Sequence, residues 1–163
     1  MHSLIGRALT MRRIKPVCHC RQVFQSTWVF GAFSPIDGDS HVLEFPVCNS
    51  ECFQIFINQL SEKNKDTFNI MVLDNGAFHK SARLNIPDNI VLVFLPPYSP
   101  ELNPSEKIWW QWKRKFTNQL FDSLEKVSEF ISETLKTLST KSVQSICGYE
   151  YVFNCDIWSQ LKR

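Results

Sequence analysis

The chain has 163 residues, 44% of them apolar, with thirteen Phe, five Trp and a formal net charge of +2. That length suits one domain able to bury roughly 70% of the surface its unfolded chain exposes, and the composition excludes a disordered chain. The near-neutral balance excludes a binder driven by overall charge, so any nucleic-acid contact must come from a local patch.

No apolar run reaches the length of about 18 residues that signals a membrane span. Met1 to Arg13 is basic but lacks the apolar core and small-residue cleavage site of a secretory signal, so a cytoplasmic protein is expected. In that compartment Cys18, Cys20, Cys48, Cys52, Cys147 and Cys155 read as thiols rather than bridges. A zinc cluster of Cys18-His19-Cys20 with Cys48 and Cys52 is the alternative, which the Cys-x-Cys spacing disfavours.

Residues 1–22 carry Arg7, Arg12, Arg13, Lys15 and Arg21 without periodicity and read as extended or loop structure. Their charges suit either a solvated segment or phosphate contact. Gln25 to Phe33 is β-branched and aromatic, Ser34 to Ser40 is rich in turn formers, and His41 to Phe45 completes a predicted hairpin. Asn49 or Ser50 caps a helix to about Glu62, with Cys52, Phe53, Phe56, Ile57 and Leu60 on one face. Phe68 to Leu73 and Ile90 to Leu95 are nearly unbroken apolar runs, as in strands covered on both faces. A helical turn is expected over Ser81 to Leu84. Helices follow over 104–118, with Ile108, Trp109, Trp112 and Phe116 as the core stripe, over 123–138, and briefly over 143–147. This order predicts a mixed α/β layer fold.

The chemistry concentrates in two places. Asp74 ends the first buried run, where open α/β sheets place their ligands, although Asp74-Asn75-Gly76 also suits a plain turn. Pro96, Pro97, Pro100 and Pro104 then forbid helix and central strand over Leu95 to Pro104, and a helix starts at Asn103-Pro104-Ser105-Glu106. This stiff corner fixes where the helix begins and is expected to return Glu106 to the neighbourhood of Asp74. Glu106 has a competing use: with Asn103 as N-cap, its carboxylate would close a capping box. Lys113, with Arg114 and Lys115 beside it, lies on nearly the face of Glu106 and suits either phosphate contact or a solvated helix end. His79 suits orienting a phosphate or water, or packing in a turn. Tyr98 reads first as packing, and the tryptophans as core before base stacking.

Val72-Leu-Asp-Asn-Gly-Ala-Phe-His-Lys-Ser81 and Phe94-Leu-Pro-Pro-Tyr-Ser-Pro-Glu-Leu-Asn-Pro-Ser-Glu-Lys-Ile-Trp109 together resemble the DDE transposases of the mariner superfamily, in the insertion-sequence branch numbered 630. Gly31-Ala-Phe-Ser-Pro35 also matches, and the resemblance runs from about Gly6 to Tyr151. It implies an RNase H-like mixed sheet flanked by helices, and three carboxylates around two divalent ions, Mg²⁺ or Mn²⁺. Asp74 matches the second acid and Glu106 the third. His79, Lys80, Lys113 and Arg114 are then candidate DNA contacts.

The family's first acid stands a few residues before a Gly-Arg pair that matches Gly6-Arg7, which places it at or before Met1. No acid precedes Asp37, and the family's helix-turn-helix region has no counterpart. The expectation is therefore a single, N-terminally truncated catalytic domain over 1–163, lacking the first strand, inactive alone, and either weakly stable or prone to self-association at the open sheet edge. Two alternatives stand beside it: a non-enzymatic module that binds DNA or a full-length transposase and modulates it, and an RNase H-like nuclease with an unusual third ligand.

Overall fold

The computed structural model describes residues 26–153. The loop reading of residues 1–22, the zinc reading at Cys18 to Cys20 and the question of a preceding strand lie outside them. Strands β1 (Trp28–Phe33) and β2 (Ser40–Phe45) form the expected antiparallel hairpin, registered from Trp28 opposite Phe45 to Phe33 opposite Ser40. Its turn needs Gly38, whose φ of +77° suits glycine and whose Cα lies hard against the Thr140 backbone. Asp37 accepts the Asp39 amide within this turn, and Asp39 pairs with Lys63.

Helix α1 (Ser50–Lys63) begins where the Asn49 side chain accepts the Cys52 amide at 2.8 Å. Its five expected apolar residues are all buried, and Phe53, Phe56 and Ile57 pack beneath Phe30 and Phe45 of the hairpin. Each such side chain contributes roughly 1.5–3 kcal/mol of transfer free energy. Strands β3 (Asn69–Leu73) and β4 (Ile90–Phe94) pair in parallel and lie on the same helix through Met71 and Ile90. Asn89 bolts them to it. Its amide donates to the Ser61 and Asn64 carbonyls at 3.1 Å, using acceptors that the end of α1 leaves open.

One expectation changes here. The apolar run of β3 is not covered on both faces among the described residues: Met71 is buried, whereas Val72 and the flanking Phe68 are exposed. The expected mixture of antiparallel and parallel pairing is present, as two two-stranded ladders that share α1.

The outer side of the hairpin receives a second core. Helix α2 (Ser105–Phe116) presents Ile108 and Trp112 to Val143 and Cys147 of helix α4 (Thr140–Cys147), and Val29, Phe33 and Val42 complete the cluster. Strand alternation explains the division, since Phe30 and Ala32 face α1 while Val29, Gly31 and Phe33 face α2. Gly31 lets the Trp109 ring approach: a Cβ there would sit 3.0 Å from it. Helix α3 (Leu124–Lys136) joins through Leu135, and its Phe130 meets Phe116 and Phe121 edge to face. The short helix α5 (Glu150–Phe153) follows α4. Burial pushes the Cys147 thiol up to about 11, the behaviour of a packing residue rather than a reactive one. Among the described residues no helix is long and apolar enough to cross a membrane.

Candidate active site

The parallel pairing of β3 and β4 places their carboxyl ends side by side. Asp74 thereby leaves the sheet next to Leu95, the first residue of the proline corner. Two hydrogen bonds lock the junction: the Leu95 amide donates to the Leu73 carbonyl at 2.8 Å, and the Asn75 side-chain amide donates to the Leu95 carbonyl at 2.5 Å. Lys80 donates to the other end of the Asn75 side chain. The chain after Asp74 makes a 3₁₀ turn over Ala77–Lys80; the expected turn over Ser81 to Leu84 is reduced to two bonds, from the Leu84 amide to the Ser81 carbonyl and from the Arg83 amide to the Ser81 hydroxyl. Two aromatic residues decide the difference, because Phe78 and His79 pack on Phe30 and Phe53 and pull the earlier segment inward.

One oxygen of Asp74, Oδ1, is held from two sides. It accepts the Gly76 amide at 3.0 Å and faces His79 Nε2 at 3.3 Å, and the carboxylate as a whole is 69% exposed. The His79 ring is 12% exposed, wedged against Phe53 and Phe78. Burial pushes its pKa below the usual histidine value, partly offset by the Asp74 charge, so at neutral pH it is an uncharged ring set against the acid. Its Nδ1 is buried without a partner.

The corner delivers Glu106. Tyr98 turns the chain in the left-handed region (φ +58°), Pro100–Leu102 form a 3₁₀ turn, and α2 starts three residues later, at Ser105. The Asn103 side chain accepts the Ser105 amide at 3.1 Å. Its own amide donates to the Pro100 carbonyl at 3.0 Å, which removes the donor a capping box requires. The box is therefore not formed. The Glu106 carboxylate is solvent-exposed and engaged in no hydrogen bond or ion pair among the described residues.

Asp74 and Glu106 line one open cleft of about 130 Å³, with Asn75, Leu95, Tyr98 and Ser99 among its walls. Two carboxylates with unclaimed oxygens are hard donors suited to Mg²⁺ or Mn²⁺. No group of three acid, His or Cys side chains gathers for a metal among the described residues. Asp37 and Asp39 are committed to the hairpin turn and Lys63. Of the other predicted residues, His79 abuts Asp74 and Lys80 is bound to Asn75 while lying 5.1 Å from the Phe94 ring centre. Lys113 and Arg114 stand outside the cleft, exposed further along α2, where Arg114 stacks on Trp110 at 4.7 Å. Asn75 is the residue that sequence reasoning missed. Its signal was its place between Asp74 and a glycine, which reads as a turn and hides the latch.

Comparison with known proteins agrees with this geometry. The family description "DDE superfamily endonuclease" matches residues 11–128. The uncharacterized protein y4pE/y4sA of Sinorhizobium fredii is 35% identical over 103 residues, covering 61% of this chain and 76% of that protein. Two solved structures share the fold, each with a TM-score of 0.66: the Mos1 transposase paired-end complex with left transposon end, at 17% identity, and the Mos1 strand transfer complex, at 15%. The alignments cover 90% and 91% of this chain but 47% and 48% of those chains, so it spans about half their length. The architecture is RNase H-like, and the chain belongs to the DDE superfamily of endonucleases.

Proposed function

We propose that this chain is the catalytic portion of an insertion-sequence transposase of the mariner superfamily, in the 630 branch, acting in metal-dependent DNA strand cleavage and strand transfer. The observation that carries the reading is the convergence of Asp74 and Glu106 on one cleft from elements remote in sequence. Asp74 Oδ2 and both Glu106 oxygens are the atoms available to hold Mg²⁺ or Mn²⁺. A divalent ion bound there would polarise a phosphodiester and lower the pKa of an attacking water or 3′-hydroxyl. The protein's own share is positional. His79 and the Gly76 amide fix Asp74, and the Asn75 latch and proline corner fix Glu106 relative to it.

DNA is the proposed substrate, in keeping with the transposon-end complex among the similar structures. His79, Lys80, Lys113 and Arg114 remain the proposed contacts; His79 would act through Asp74, and Lys113 and Arg114 on the phosphates beyond the cleft. Among the described residues only two acids reach the cleft, and no acid precedes Asp37 in the sequence. The chain by itself is therefore proposed to be inactive. That count also favours the second reading, a module that binds DNA or a full-length transposase without cutting. Self-association belongs to the same proposal, since β1–β2 and β3–β4 are separate ladders among the described residues.

The test is a supercoiled-plasmid nicking assay with Mg²⁺ or Mn²⁺, run beside a DNA-binding titration. Binding without nicking is the expected result. Nicking that Glu106→Gln abolishes would overturn the inactivity while keeping the site; no DNA binding at all would overturn the functional reading.

A further inference from the structure

Two aromatic side chains flank the acids without serving the core. Tyr98 is 102% exposed, as open as a free side chain, yet sits at φ +58°, a region disfavoured for a bulky L-residue. No packing of its ring offsets that conformation, and backbone strain of this kind collects at sites of function. Trp110 is 57% exposed, one turn after Glu106, while its neighbours Trp109 and Trp112 do the packing against Phe33. At about 100° per residue, Glu106, Trp110, Lys113 and Arg114 fall within roughly a 100° arc of α2. The outward face of this helix thus carries an acid, a ring and two cations in succession, with Tyr98 at the mouth of the same cleft.

We infer that Tyr98 and Trp110 are stacking platforms for unpaired bases of a DNA strand led past Asp74 and Glu106. Flat rings interleaved with Lys and Arg are the chemistry of single-strand binding: the rings take base faces and the cations take the phosphates. Bases in a duplex are already stacked and offer no face to these rings, so the occupant is a single strand or frayed end rather than intact duplex. Lys113 and Arg114 supply the charge complementarity, and the Arg114 guanidinium extends the Trp110 platform. This inference rests on the DNA reading above and adds to it which state of the DNA the site accepts.

The test titrates the whole chain with a short single-stranded oligonucleotide carrying 2-aminopurine, and with the corresponding duplex. Single-strand binding should quench the 2-aminopurine. Tyr98→Ala and Trp110→Ala should each weaken single-strand binding by roughly 5- to 100-fold and relieve the quench. Tyr98→Phe should restore both, and duplex affinity should not change. Lys113→Ala should weaken the two forms alike, with a reduced salt slope. Tyr98→Gly keeps the left-handed turn, so it should fold at least as well as the wild type and still lose single-strand binding.

Single-strand binding that survives Tyr98→Ala and Trp110→Ala, or falls in step with duplex binding, overturns this inference and leaves the DNA reading intact. So does a change in sedimentation in place of the binding loss, which would identify a second copy of the chain as the occupant. Failure of the wild-type chain to bind any DNA overturns both.

Discussion

Replacing Asn75 with alanine removes the side-chain bond that ties the end of β3 to the carbonyl of Leu95. A typical net hydrogen bond contributes about 1 kcal/mol, and a buried carbonyl left dry costs about 1–3 kcal/mol. Leu95 is only half-buried, so water can reach the carbonyl and the lower end applies. The Lys80 bond to the same side chain is exposed and adds little. A loss of about 1–1.5 kcal/mol is expected, corresponding to roughly 2–5 °C in Tm for a chain of this size. The effect on the site should exceed the effect on the fold, because the latch sets where the proline corner sits relative to Asp74. Removing a residue that orients metal ligands costs roughly 10- to 100-fold in affinity, and the lower part of that range is expected for Mn²⁺. Urea denaturation and Mn²⁺ titration measure the two losses. Asn75→Asp sharpens the stability arm of the test: it keeps the acceptor for Lys80 but lacks the donor for Leu95, so it should lose at least as much stability as Asn75→Ala. Wild-type stability together with wild-type Mn²⁺ affinity in Asn75→Ala would refute the latch.

Gly38→Ala should be among the most damaging single-methyl changes in the hairpin. The new Cβ would lie 2.2 Å from the Thr140 carbonyl oxygen, at a φ that L-residues avoid. Left-handed strain of about 1–2 kcal/mol and overpacking of about 1–3 kcal/mol give a loss of roughly 2–5 kcal/mol, read as a lowered urea midpoint. His41 predicts an acid sensitivity. Burial and then the Lys63 charge hold its folded pKa below the ordinary 6.5, against the weaker opposite pull of a Phe56 backbone bond and Asp39. The unfolded chain therefore takes up a proton that the folded chain resists. Stability present above about pH 6.5 should be lost as the pH falls through 6.5 towards the folded value. Thermal melts across that window should show a shallower slope for His41→Leu, with the remainder belonging to His79, which has the same sign; an unchanged slope would contradict the assignment.

The amphipathic helices were legible because their periodicity and caps are local. Asn49 caps α1 and Ser123 caps α3 as their sequence positions require. The proline corner was legible as a constraint, since four prolines leave the backbone few options. What the sequence hid was non-local. The parallel register that sets Asp74 beside Leu95 depends on strand pairing. The capping-box reading of Glu106 failed because the 3₁₀ turn at Pro100 claims the Asn103 amide first. Apolar content predicted β3 to be covered on both faces, but composition does not count the layers available to cover it. Trp110 and Trp112 are likewise indistinguishable by residue type; helical phase around Ile108 separates the exposed ring from the buried one.

The measurement that tests the central claim most directly is a Mn²⁺ titration, followed by electron paramagnetic resonance, of the wild-type chain, Asp74→Asn, Glu106→Gln and the double variant. If the two carboxylates share one site, each single change should cut affinity by about tenfold or more. The double variant should then lose little beyond either single change, because partners in one site do not act additively. Single variants that bind like the wild type, or losses that simply add, would contradict a shared site.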